Sequence, residues 1–318
     1  MKKPLFAFLI FFALMAAAPP ALNHFCANGR YWVDVLNSVG LYLVLALSLN
    51  VILGYAGMFN MGHAVFYAVG AYTTAILNTQ CHWPVLLTLP AAGLAAALFA
   101  LVAARPIIHL RGDYLLIVTI GMVEIVRIAL VNDVFGLTGG ANGIFGIERV
   151  RLFGFRLTTP THYFYLIWTF AAASVALFAL LENSRFGRAL RYLKEDEVAA
   201  AGSGINVAHY KLAAFVLGAG WAGLCGTLFA AKMTIISPES FNFWESVVLF
   251  MIVILGGSGS IPGVILGAFL VAGLPELFRS FENARQLVFG LALMVMMIVR
   301  PQGLLPPRPR RYAVRTQP

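Results

Sequence analysis

Charge is what this sequence has least of. Only 11% of its 318 residues are Asp, Glu, Lys or Arg, and the 70 positions between Asp34 and Arg105 contain none. With 60% of residues hydrophobic and a mean hydropathy of +0.84, a soluble domain with a polar surface is excluded. Cysteine is scarce too, since Cys26, Cys81 and Cys225 are too few for a disulfide framework. Three catalytic or nucleotide signatures are missing: the G-x-x-x-x-G-K-[ST] phosphate loop, the H-E-x-x-H zinc pair and the G-x-S-x-G nucleophile elbow. The chain therefore offers no Walker site, no metal site, no cofactor site and no residues to carry an enzyme reaction.

What is present is a succession of apolar runs, each near the roughly 20 residues that a bilayer crossing needs. Charge gaps and Gly/Pro breaks predict helices near 4–22, 36–54, 61–78, 84–106, 114–132, 162–181, 209–231, 243–256, 261–279 and 286–300. This is an all-α, polytopic integral membrane protein of about ten crossings. Runs 243–256 and 286–300 are the shortest and need neighbours to satisfy their ends. Residues 1–22 imitate a secretory signal, with Lys2 and Lys3 ahead of an apolar core and Ala16, Ala17 and Ala18 behind it. Pro19 after that site argues for a retained first helix.

One charged island interrupts the pattern. Residues 182–208 hold eight charges, among them Arg185, Arg188, Arg191 and Lys194, between two crossing-length runs. Basic residues beside a membrane mark the cytoplasmic side. Six crossings precede the island and four follow, so both termini share its compartment. On that arrangement 14 Lys/Arg lie inside, seven outside and Arg127 within a span. The net charge of +9 reads as this topology, with Arg300, Arg308, Arg310, Arg311 and Arg315 in and beside the tail, rather than as nucleic-acid binding. Anionic lipid is the partner expected for that tail.

Two glycine clusters sit at crossing ends. Gly54, Gly57 and Gly62 follow one apolar run; Gly256, Gly259 and Gly263 follow another. Both contain L-G-x-x-G, at Leu53 and Leu255, and each leads to a Gly-Ala pair. Helices two to five and seven to ten then read as four-helix units entering from opposite sides, an inverted repeat; small residues that only let helices pack closely are the plainer alternative. A broken helix at membrane depth needs protein or a water-filled cavity around it, so these glycines are candidates for gating or pathway lining. His63 beside the first cluster reads as a packed helix-end residue. Glu124 and Arg127 are the costliest residues: Glu124 lies about 15 Å along the fifth helix, and a spacing of three puts both on one face. An intramembrane pair is either a pathway element or a self-neutralising packing device. Glu276, beside Pro275 at a helix end, has an easier route to the interface.

Several segments together resemble the permease subunits of bacterial branched-chain amino-acid ABC importers, the M-type rather than its H-type partner. They are LNVILGYAGMFNMGHAVFYAVGAYT (49–73), LRGDYLLIVTIGMVEIVRIAL (110–130), LTGGANGI (137–144), GRALRYLKEDEVAAAGSGINV (187–207), ISPESF (236–241), LGGSGSIPG (255–263) and RPQGLL (300–305). The resemblance implies a type II importer permease domain over 36–305, preceded by a helix and outer loop (1–35) and followed by a basic tail (306–318). It also implies that 182–208 is the ATPase-coupling loop, with Gly187, Arg188, Glu195, Asp196, Glu197, Ala199, Ala200 and Gly204 as its contact candidates. The family signature E-A-A-x-x-x-G is matched by Ala199, Ala200 and Gly204, while Val198 stands where the signature has Glu.

Implied partners are an H-type permease, two ATP-binding subunits and an extracytoplasmic substrate-binding protein, in a bacterial inner membrane. The implied cargo is leucine, isoleucine or valine, the alternatives within the family being urea, amides or other amino acids. An ion-coupled secondary transporter is the rival class, and an isolated gene without neighbouring ATPase genes would favour it. Topology is directly testable. A membrane-impermeant thiol reagent is expected to label Cys26 and Cys81 from outside, after reduction if they are bridged, and to miss Cys225. Labelling of Cys81 from the cytoplasmic side alone overturns the placement of helices two and three.

Overall fold

A computed structural model describes residues 2–25, 28–110, 112–134, 136–152 and 154–277, with parts of 290–307. The described residues are mostly helical. The helices are α1 (Lys2–Phe25), α2 (Gly29–Asn50), α3 (His63–Thr79), α4 (Val85–Ile107), α5 (Asp113–Val131), α6 (Pro160–Asn183), α7 (Arg185–Glu195), α8 (Glu197–Gly202), α9 (Val207–Met233), α10 (Phe243–Gly256), α11 (Ile261–Ala268) and α12 (Leu274–Leu277). Wide π turns extend α2 through Val51–Tyr55 and join α11 to α12 through Phe269–Gly273. Among the described residues six helices are long and apolar enough to cross a membrane, and α3, at 17 residues, falls just short of that length. The predicted segment 243–256 matches α10 end to end. The predicted segment 286–300 and Cys26 lie largely or wholly outside the described residues.

Enclosure of α2 organises the bundle. It packs against α1, α6, α9, α10 and α11, and Val39, Leu43, Val44, Ala46 and Leu49 are wholly buried. Opposite it, α3, α4 and α9 approach closely because their facing residues are small. A Cβ on Gly223 of α9 would stand 2.5 Å from the Ala96 Cβ of α4, so glycine is required for that contact. Hydroxyls meet at the same junction, with Thr74 and Thr227 2.8 Å apart.

Short strands close the end where α5 leaves and α6 enters. β1 (Ile144–Phe145) pairs antiparallel with β4 (Ile235–Ile236), and β2 (Arg151–Leu152) with β3 (Phe155–Arg156). Asp133 organises the preceding turn, accepting from the Thr138 backbone N–H at 2.7 Å and its hydroxyl at 2.8 Å. Those bonds hold the Asp133 carboxyl below its usual range.

Candidate functional site

The charged island folds into two short helices held by side-chain caps. Ser184 accepts from Gly187 N–H at 3.1 Å to begin α7, and Asp196 accepts from Val198 and Ala199 N–H at 2.8 and 3.0 Å to begin α8. Gly204, in the left-handed region at φ +83°, closes α8. Glu197 pairs with Lys211 at the foot of α9 and Arg188 donates to the Asn183 carbonyl at 2.9 Å, so both serve the chain's own fold. Asp196 is likewise spent as a cap. Among the residues that α7 and α8 present outward are Arg185, Tyr192, Glu195, Val198, Ala199 and Ala201, with Ala200 buried beneath.

The inner face of α7 reaches the first glycine break. Lys194 Nζ donates to the Gly54 carbonyl at 2.9 Å, and the Arg191 guanidinium lies 5.8 Å from the centre of the Tyr55 ring. Gly57, at φ +71°, lies against the Lys194 stem, where an added Cβ would meet the side chain at 2.9 Å. Burial, with Arg191 adding to it, pushes the Lys194 ammonium below its usual value, and Glu195 opposes the shift.

One turn back along α2, at Asn50, the two breaks touch. Asn50 Oδ1 accepts from the Gly259 N–H at 2.8 Å in a fully buried setting. A Cβ on Gly54 would stand 2.0 Å from that Asn50 oxygen and 2.5 Å from the Gly259 nitrogen. The second break is tied back on itself, because a Cβ on Gly256 would lie 2.3 Å from the Gly263 carbonyl. The segment RPQGLL joins it there: Leu304 N–H donates to the Leu255 carbonyl at 2.9 Å and Leu305 N–H to the Gly256 carbonyl at 3.0 Å. The two L-G-x-x-G echoes thus stand side by side at one end of the bundle.

Gly62 stands apart from this cluster. It faces α5, where an added Cβ would lie 2.7 Å from the Thr119 carbonyl, and Met61 N–H donates to the Thr119 hydroxyl at 3.2 Å. His63 is fully buried, its Nε2 2.7 Å from the Ser48 hydroxyl, as a packed helix-end residue should be. Glu124 and Arg127 do pair, at 2.9 Å, and Arg127 also reaches Glu239 at 3.1 Å. Toward the other end of the bundle a cavity of about 550 Å³ opens between α2 and α12, lined by Tyr31, Asp34, Ser38, Tyr42, Pro275 and Glu276. Glu276 pairs with the Tyr31 hydroxyl, Lys232 with Asp34 at 3.0 Å, and the Tyr42 hydroxyl donates to Glu245 at 2.9 Å.

Sequence reading missed Asn50, Glu239 and Glu245 as functional candidates, and it used Lys194 only as a topology marker. The available signal was chemical: Asn50 is an amide in the uncharged stretch four residues before Gly54, and Glu245 is a carboxylate in the first turn of an apolar helix.

The family described as branched-chain amino acid transport system / permease component matches residues 31–299. The high-affinity branched-chain amino acid transport system permease protein LivM of Escherichia coli (strain K12) is 40% identical over 322 residues, covering 94% of this chain and 74% of that protein. LivM of Salmonella typhimurium is 40% identical over 298 residues, covering 86% and 70%. LivH of Escherichia coli (strain K12) is 28% identical over 292 residues, covering 83% and 91%. No solved structure matches.

The contact between the breaks sets a measurable cost. Asn50→Ala leaves the Gly259 N–H buried without its acceptor, which costs about 1–3 kcal/mol. Thermal unfolding of the purified chain in detergent is expected to show that loss, whereas Asn183→Ala, removing an exposed side chain that bonds its own helix, shifts it far less. Equal melting temperatures for the two variants would remove Asn50 from the account.

Proposed function

The chain belongs to the branched-chain amino acid transport permease family, and we propose from that membership that it forms half of an ATP-driven pathway for leucine, isoleucine and valine. It is a transport permease subunit, a multi-pass membrane protein rather than an enzyme. The 40% identity to LivM over most of both chains carries this reading of the cargo. Likeness to LivH supports a second, related permease as the other half. Two ATP-binding subunits and an extracytoplasmic binding protein complete the assembly as we propose it, in a bacterial inner membrane with both termini cytoplasmic. A related permease for urea, amides or other amino acids is the alternative, followed by an ion-coupled carrier.

About ten crossings arranged as an inverted repeat remain the architecture we propose for 36–305. Its support is the charge bias for the crossings and the L-G-x-x-G echo at Leu53 and Leu255 for the repeat. The mechanism rests on one contact, the 2.9 Å bond from Lys194 to the Gly54 carbonyl. In our reading an ATPase grips the outward face of α7 and α8, around Tyr192, Glu195, Val198 and Ala199. Val198, where the family signature has a carboxylate, adds an apolar contact beside the charge of Glu195. Closure of the ATPases displaces α7, and through Lys194 and Asn50 the displacement reaches both glycine breaks together. The bundle then exchanges outward- and inward-open states. Gly62, Glu124 and Arg127, on and against α5, border the pathway itself.

Uptake of labelled leucine by proteoliposomes holding the chain, the second permease, both ATPases and the binding protein tests this. Gly204→Arg and Ala200→Asp are each expected to cut uptake at least tenfold with membrane insertion intact. The first forces a bulky side chain into a left-handed turn, and the second buries a charge under α8. Unchanged uptake at normal expression would take α8 out of the mechanism.

A further inference from the structure

Helix α5 is held on one side only. Leu115, Thr119 and Val123, spaced by four, are its buried residues, while Tyr114, Ile117, Ile125 and Ile128 are exposed on the opposite face. That opposite face suits hydrocarbon. At 100° per residue, Glu124 and Arg127 fall on a third sector, the flank between the packed stripe and the apolar face. They are joined there by Glu239 from the turn before α10.

The exposure of these groups separates them from an ordinary buried ion pair. The side chains are 27% exposed for Arg127, 39% for Glu124 and 72% for Glu239. Counted from Asp113, Glu124 lies about 16 Å and Arg127 about 21 Å along α5, inside the span. Carboxylates this open cannot face lipid tails, so the flank borders water or another polar surface. The hydrogen-bond inventory adds a direction. Arg127 spends Nε on Glu124 and one Nη on Glu239, leaving its second Nη without an acceptor among the described residues. One oxygen on each carboxylate is likewise uncommitted there.

We propose that Arg127, Glu124 and Glu239 form a selectivity site for zwitterionic α-amino acids on the pathway side of α5, an inference that rests on the importer reading above. The second Nη of Arg127 and the remaining N–H of the first take the α-carboxylate. Glu124 and Glu239 flank it and take the α-ammonium. A cation without a carboxylate leaves the guanidinium fork unmet, and an anion without an ammonium meets two carboxylates. A net-neutral zwitterion satisfies both signs without altering the charge of the site. Leu116 and Ile120, on the same flank of α5, offer an apolar surface to an uncharged side chain. Discrimination by head group would thus be added within the membrane to whatever the binding protein selects.

The test uses the complete importer in proteoliposomes and reads leucine transported per ATP hydrolysed, with recovery of the second permease as a measure of assembly. Arg127→Gln is expected to lower that ratio about tenfold or more, while ATP hydrolysis stimulated by loaded binding protein stays within about twofold and assembly is unchanged. The exchanged double variant R127E/E239R restores opposite charges across the α5 contact but misplaces the fork, so it should remain as defective as Arg127→Gln. Recovery of transport in the exchanged variant shows that the triad only fastens α5 and overturns the proposal. Loss of the second permease from the Arg127→Gln complex assigns the flank to a subunit contact and overturns it equally. Failure of the wild-type assembly to couple ATP hydrolysis to leucine uptake would instead refute the importer reading, and the selectivity site with it.

Discussion

A helix that stops within a membrane leaves backbone groups that no water can reach, and the rest of this structure depends on how that deficit is met at Gly54 and Gly259. The Gly54 carbonyl is met by Lys194 from the charged island, and the Gly259 N–H by Asn50 from within α2. Both solutions demand that backbones approach more closely than a Cβ allows. They also tie three separate stretches of chain to one point. The last π turn of α2, the entry to α11 and the inner face of α7 cannot move independently without stranding a buried polar group.

This arrangement divides the work of the molecule along its length. Near the island the side chains are spent on mechanical linkage: Ser184 and Asp196 cap, Glu197 and Arg188 brace, and Lys194 connects. Along α5 and in the cavity between α2 and α12 the polar groups instead surround open space, as with Tyr42 on Glu245 and Arg127 between its two carboxylates. The enclosed α2 joins these regions. Its N-terminal half carries Asp34, Ser38 and Tyr42, and its C-terminal half ends in Asn50 and the π turn that receives Lys194.

Much of this was legible in the sequence because it is written locally. Charge gaps and glycine located the long helices, α10 to the residue, and the run of charge marked off the segment that folds as α7 and α8. The pairing of Glu124 with Arg127 followed from a spacing of three. Contacts between distant segments were not legible. Asn50 and Gly259 are 209 residues apart and Lys194 and Gly54 are 140 apart, and no periodicity encodes such a meeting. The L-G-x-x-G echo shows the same limit: its two copies meet, with Asn50 bonding Gly259 beside Gly54, while sequence alone left the likeness open between a repeat and close packing. In the island, acidic residues that looked available to a partner turned out to be a cap and an internal ion pair, because a short helix must satisfy its own first turn before it can offer charge to anything else.

In the mechanism proposed above, α7, α8 and the glycine breaks move as one body when the ATPases close. Pulsed electron-spin distances between labels at Ser203 and Ser258, in an assembled importer whose native cysteines are replaced, measure this directly. The Ser203–Ser258 distance is expected to stay the same with and without trapped ATP, while the distance from Ser203 to a label at Asn142 beside β1 shifts. A nucleotide-dependent change between Ser203 and Ser258 would contradict it, because the island would then move without carrying the breaks along.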